Sequence, residues 1–183
     1  MPSTYYIDGY NVVFHCPDLH ALARRDTEVA RDTFVDMVSR FCAVSGKRVT
    51  IVFDGRGRVP EPVRPSCGSP YLDIVYSPGH QCADTIIERL VYNAKGDRSD
   101  IVVVSGDYGI RDLCLALGAL TITPAVFLGM VRDALARARA DLQGRTNRRV
   151  NLRFEDRLDD ASLDHLRNIR HTLDGDEPDD RGP

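Results

Sequence analysis

The run Ile101-Val102-Val103-Val104, bracketed by Asp100 and Ser105, constrains the fold of this chain more than any other feature. Its residues are all β-branched and do not alternate with polar ones. Such a run is a strand covered on both faces, as in parallel sheets between two layers of helix. The rest of the chain is compatible with that architecture. Thr4 to Asp8 reads as a first strand, Arg48 to Asp54 as a second, Leu72 to Tyr76 as a third, and Ala119 to Thr123 as the last. Between them lie segments of helical period. Val29, Ala30, Phe34, Met37, Val38 and Phe41 mark a helix from about Asp26 to Ser45, which Gly46 stops, and Ile86, Ile87, Leu90, Val91 and Ala94 mark another from about Cys82 to Lys95. A short helix from Tyr108 to Leu117 follows the strongest strand, and Pro124 opens a helix to about Leu142. This alternation predicts an α/β fold of three layers with a central, mainly parallel sheet.

Gly55 to Pro70 is rich in Gly, Pro and Arg and reads as a loop, and Ser77-Pro78-Gly79 as a turn. The periodic pattern stops beyond Gly144. The expected division is a main domain over 1–144, a basic linker and short helix over 145–173, and an acidic disordered tail over 174–183. Within it, Arg145 to Val150 is the linker and Ala161 to Leu173 the helix.

Several chemistries are excluded by what the chain lacks. The cysteines Cys16, Cys42, Cys67, Cys82 and Cys114 form no C-x-x-C pair, which argues against zinc and for mostly buried thiols in a reducing compartment. No stretch approaches a membrane span, and Met1-Pro2-Ser3-Thr4 does not open a secretory signal, so the expected location is the cytoplasm, with no membrane partner. Neither Lys47 nor Lys95 stands in a P-loop, and Gly55-Arg56-Gly57-Arg58-Val59-Pro60 lacks the third glycine of a dinucleotide fingerprint. An aspartyl-phosphate phosphatase built on Asp8 is disfavoured rather than excluded: it would carry a second acid two residues on, where Tyr10 stands. The histidines, among them His15 and His80, show no nucleophile partner; these two are candidates only for lying near the site.

What remains is acidic. Asp8 ends the first strand, Asp54 ends the second, Asp107 follows the strongest strand and Asp84 opens a helix. In parallel sheets these positions share the carboxyl edge, where ligands bind. Carboxylates gathered there repel one another, and a divalent cation relieves the repulsion. Oxygen-only donors, with Asn11 beside Asp8, point to magnesium or manganese. Metal-assisted hydrolysis of a phosphodiester fits this edge. Each acid also has a structural reading: Asp84 and Asp107 as helix caps, Asp54 as a turn residue, Asn11 as a loop amide. Asp8 is the exception, because Gly9 and an apolar run follow it where a helix start would be expected.

Asp8-Gly9-Tyr10-Asn11, Val52-Phe53-Asp54, Ala83-Asp84-Thr85-Ile86-Ile87-Glu88 and Ser105-Gly106-Asp107-Tyr108, in this order, resemble the NYN nucleases of the PIN-like superfamily, and the YacP-like branch above all. The resemblance reaches Phe154-Glu155-Asp156-Arg157-Leu158 and the short helix beyond it, to about Arg170. It implies a Rossmann-like PIN/NYN fold over the main domain and a Mg²⁺- or Mn²⁺-dependent endoribonuclease, with messenger RNA at the ribosome among the substrates of that branch. By position, Asp8, Asp84 and Asp107 would be metal ligands, Asn11 would hold a ligand, water or phosphate, and Asp54 would act from outside the first ligand sphere. Asp112, five residues past Asp107, is a further acid on the same helix, turned well around from it. The helix start Thr123-Pro124-Ala125 and the Pro-rich loop at 60–70 depart from the family pattern and bear on substrate choice.

RNA implies cationic contacts. Arg56, Arg58 and Arg64 leave the second strand's acidic end, and Arg132, Arg148 and Arg149 belong to a segment from Arg132 to Arg157 that carries eight arginines against Asp133, Asp141, Glu155 and Asp156. Two other readings stay open: an RNA- or ribosome-binding module without hydrolytic activity, and an aspartyl-type small-molecule phosphatase.

Overall fold

The computed structural model describes residues 4–57, 62–63, 69–79, 81–94 and 100–155. The element order is β1 (Thr4–Asp8), α1 (Gly9–His15), α2 (Pro17–Ala23), α3 (Thr27–Ser45), β2 (Arg48–Gly57), β3 (Pro62–Val63), β4 (Leu72–Pro78), α4 (Ala83–Asn93), β5 (Ile101–Val104), α5 (Tyr108–Ala116), β6 (Leu120–Ile122) and α6 (Pro124–Glu155). The strands form one sheet in the order β3-β4-β2-β1-β5-β6. All neighbours pair parallel except β3 with β4. The fold is the three-layer α/β architecture expected from the sequence.

Side chains alternate across the strands and divide the core into two. Tyr5, Ile7, Val49, Ile51, Phe53, Leu72, Ile74, Val102 and Val104 pack on one face with Phe34, Val38 and Phe41 of α3 and Phe127 and Val131 of α6. Val52, Ile101 and Val103 face the other way, onto Ala83, Ile86, Ile87 and Val91 of α4 and Ile110 and Cys114 of α5. A strand buried on both sides cannot use the polar alternation of a solvent-facing sheet, which is why 101–104 is apolar throughout. α3 is closed at both ends as its sequence requires: the Asp26 carboxylate accepts from the N–H groups of Glu28 (2.9 Å) and Val29 (3.2 Å), and Gly46 takes φ 66°.

Four features differ from the sequence expectation. The segment after Asp8 contains two short helices, α1 and α2, and Asp8 itself caps α1. β2 continues to Gly57, and Pro62–Val63 pairs antiparallel with β4, inside the stretch expected to be loop. The linker expected at 145–150 is helical, because α6 runs on to Glu155. Of the thiols, Cys42 and Cys114 are buried, Cys16 is half-buried and Cys82 exposed. Two compact units, Met1–Ala138 and Arg139–Pro183, divide the chain within α6. The expected helix at 161–173, the acidic tail and Cys67 lie outside the described residues. Among the described residues no helix is long and apolar enough to cross a membrane.

The strand order fixes where a ligand can sit. From β1 the chain builds outward through β2 and β4 on one side, then returns to add β5 and β6 on the other. The reversal falls between β1 and β5, and the crevice at the carboxyl ends of such neighbours is the usual binding place in open α/β sheets.

Candidate active site

At that crevice the chain passes from β1 into α1 without a loop. Asp8 is the last residue of the strand and the N-cap of the helix, its Oδ1 accepting from the Asn11 N–H at 3.1 Å. Gly9 makes the turn possible because a Cβ there would run into the Phe53 ring. Asn11, in the first turn of α1, reaches across the reversal point: its Oδ1 accepts from the Gly106 N–H at 2.6 Å. This bond links residues that are 95 positions apart and ties the end of β1 to the loop after β5.

Asp107 caps α5, its Oδ1 accepting from the N–H groups of Gly109 (2.6 Å) and Ile110 (3.4 Å), while its own N–H donates to Ser105 Oγ at 3.1 Å. Asp54 performs the same service for another helix. Its Oδ1 accepts from the Ala83 N–H at 2.6 Å and from the Ser77 hydroxyl at 3.4 Å, and Ser77 Oγ in turn accepts from the Gly55 N–H. α4 needs this help because its own N-cap, Cys82, makes no side-chain capping bond. Asp84, the second residue of α4, is not the cap that its sequence position suggested. Its Oδ1 is buried and has no hydrogen-bond partner among the described residues.

The four acids feel one another. Asp8 is 9% exposed, and burial pushes its carboxyl up to about 6; the Asn11 N–H opposes that rise, while the charges of Asp84, Asp54 and Asp107 add to it. Burial also raises Asp84, and Asp107 and Asp54 raise it further. An acid that is buried and surrounded by like charge is held at a cost to the fold, the condition in which a bound cation is most favourable. The donor set, carboxylates with an amide nearby, suits a hard divalent cation. Among the described residues no three His, Cys, Asp or Glu side chains converge closely enough to form a metal cage by themselves. The acids are near enough to repel but are not arranged as a closed ligand set.

The other sequence candidates are placed less centrally. Asp112 is exposed on α5, and its charge is not among those acting on Asp8 or Asp84. Arg132 is exposed on α6. Arg56 falls in β2 and Arg148 and Arg149 in α6, with their side chains outside the described set; Arg58, Arg64 and His80 lie outside the described residues altogether. Sequence reasoning missed two relations: Asp54 as the acceptor for α4, and Asn11 as the clasp onto Gly106. The only local sign of the second was the glycine before Asp107. It also left His15 unresolved; the His15 ring packs against Gly106.

An open sheet with acids gathered at its reversal point is the frame of a PIN-like, nuclease-type α/β protein. The chain belongs to the YacP-like NYN domain family, whose model it matches over residues 5–171. It is similar to the uncharacterized protein YacP of Bacillus subtilis (strain 168), with 25% identity over 114 residues. That match covers 62% of this chain and 66% of the relative, just under two thirds of its length. Among solved structures it resembles Rae1 (YacP) from Bacillus subtilis, with a TM-score of 0.65 and 22% identity over 94% of this chain and 95% of that one. It also resembles a tryptophan-to-leucine mutant of the same Bacillus subtilis protein, with a TM-score of 0.66 and 23% identity over 78% and 82%. At these identities the structural likeness establishes the fold.

Proposed function

We propose that this protein is an endoribonuclease that depends on Mg²⁺ or Mn²⁺ and hydrolyses phosphodiester bonds of RNA at the carboxyl edge of β1 and β5. The observation that carries this reading is the pair of under-satisfied acids: Asp8, buried with its carboxyl raised to about 6, and Asp84, with a buried oxygen that has no partner among the described residues. A fold that only needed these positions for structure would supply each carboxylate with donors, as it does for Asp54 and Asp107. Membership of a nuclease-type family supports the same reading. Asp8, Asp84 and Asp107 would hold the cation, with Asp54 behind them. When bound, it would lower the pKa of a water molecule and neutralise charge building on the phosphate.

The chain's own residues do the positioning. Asn11 fixes the distance between the β1 and β5 ends through Gly106, and the Asp54 contact with Ala83 fixes the start of α4 and therefore Asp84. Arg132 and the arginines near it on α6 are the cations proposed to meet the RNA backbone. The test is incubation of the purified protein with labelled single-stranded RNA and matched DNA, with manganese, with EDTA, and as the Asp8→Asn variant. Cleavage of RNA that needs the cation and is lost in Asp8→Asn is the expected result. Cleavage undiminished by EDTA or by the substitution would remove the metal and Asp8 from the mechanism.

A further inference from the structure

His15 is the last residue of α1 and lies four residues after Asn11, so the two share one face of the helix. That face meets the loop after β5. A Cβ added to Gly106 would stand 2.7 Å from His15 Nε2 and 2.8 Å from Asn11 Oδ1, so the absence of a side chain at Gly106 makes room for both. His15 Nδ1 is 2.7 Å from the Asn11 carbonyl oxygen. A carbonyl oxygen only accepts, so Nδ1 carries the hydrogen, and in the neutral ring Nε2 is left as a bare acceptor. No hydrogen bond occupies Nε2 among the described residues. The fold thus holds an oriented acceptor at the rim of the reversal point, beside the loop that leads into Asp107.

A neutral acceptor has no attraction for phosphate oxygens, which are acceptors themselves. Its partner must donate, and around a phosphodiester the donors are water, the ribose 2′-hydroxyl and the N–H groups of the bases; of those the nucleic acid carries, the hydroxyl lies nearest the phosphate and is the same in every RNA nucleotide. Water can reach any open acceptor, whereas the ribose hydroxyl is a donor that only RNA brings. The His15 ring turns back to Gly106, the residue before Asp107, which sets Nε2 where the sugar next to a phosphate held at the acids would pass. We propose that His15 Nε2 accepts a hydrogen bond from the 2′-hydroxyl of a ribose flanking the scissile phosphate, making His15 a residue that selects RNA over DNA. The inference rests on the nuclease reading above and deepens it.

The test is a cycle between protein and substrate. The full-length protein and its His15→Phe variant, which keeps a ring against Gly106 but has no acceptor, are assayed at about pH 8, where free imidazole is neutral. The substrates are an RNA oligonucleotide and a series in which one ribose at a time near the cleavage site is replaced by deoxyribose. The unaltered protein should lose roughly three- to tenfold in kcat/KM at one position, the worth of one neutral hydrogen bond. His15→Phe should cleave the all-RNA substrate more slowly by a similar factor and lose less than about twofold on deoxy substitution at that position. Thermal unfolding checks that the variant is folded, and His15→Ala supplies the same cycle if it is not. If no single deoxy position slows the unaltered protein, or if the penalty is as large in the variant, the 2′-hydroxyl contact is overturned and the nuclease reading stands. If the unaltered protein cleaves neither RNA nor DNA at any cation concentration, the nuclease reading falls and the contact with it.

Discussion

The carboxyl edge of the sheet has two kinds of acid. Asp54 and Asp107 are exposed and spend their carboxylates on helix N-termini, one on Ala83 at the start of α4 and the other on Gly109 and Ile110 at the start of α5. Asp8 and Asp84 are more deeply placed and less well satisfied. Among the described residues Asp8 accepts one bond, from the Asn11 N–H at 3.1 Å, and Asp84 has a buried oxygen with no partner. Two acids therefore stabilise the fold, while two are carried by it at a cost. The fold builds the edge with the first pair, of which Asp107 would also reach the cation proposed above, and leaves the second pair available for chemistry.

Activity should break along this line first. Asp8→Asn and Asp84→Asn should each lower RNA cleavage by about 10²–10³-fold, because losing several kcal/mol of charge stabilisation costs a factor of ten for each 1.36 kcal/mol. Single-turnover cleavage with saturating manganese measures this. Loss of less than about tenfold in both variants would mean that the under-satisfied pair is not the catalytic one.

Stability should move in the opposite direction. Asn at position 8 can still accept from the Asn11 N–H as an N-cap, but it carries no charge into the buried, acidic setting. In EDTA at neutral pH, Asp8→Asn should be more stable than the unaltered protein by roughly 1–3 kcal/mol, the scale of moving a carboxyl from 3.8 to about 6. The sign follows from proton linkage. A carboxyl whose pKa is higher folded than unfolded binds its proton more tightly in the folded state, so folding gains stability as pH falls through about 6 and has the full gain below 3.8. The advantage of Asp8→Asn should therefore shrink between about pH 7 and pH 4, and equal melting curves at neutral pH would refute the assigned cost.

The satisfied pair should behave conversely. Asp107→Ala removes an N-cap and should cost about 1 kcal/mol, lowering the melting temperature by some 2–4 °C for a chain of this size. Asp54→Ala leaves the Ala83 N–H without its acceptor and should cost about 1–2 kcal/mol. Calorimetry of the variants side by side sharpens the division: Asp8→Asn and the two alanine variants must shift in opposite directions.

Much of this was legible before the structure because it is local. The strand 101–104, the helix from about Asp26 and its stop Gly46, and acids at strand ends follow from short-range patterns. The helix at Gly9–His15 was hidden because it is only seven residues long, opens on glycine and includes Val12 and Val13, which favour strands. Gly9 is required there because a Cβ would run into the Phe53 ring, a contact that local propensity does not show. The division between spent and unspent acids was not readable at all, since it depends on partners 29 residues away for Asp54 and 95 for Asn11. Two carboxylates of identical type at equivalent strand ends become a cap and a site through what the rest of the chain brings to them.

Asp112 supplies the smallest and cleanest check. It shares α5 with Asp107 and would be grouped with the cluster by composition, yet it is exposed and its charge does not register on Asp8 or Asp84. It caps no helix and belongs to neither class. Asp112→Asn should therefore shift stability by no more than about 0.5 kcal/mol and leave RNA cleavage within about twofold. A loss approaching that of Asp84→Asn would show that the site extends down α5 and that proximity to Asp107 in sequence, rather than burial without partners, is what marks its acids.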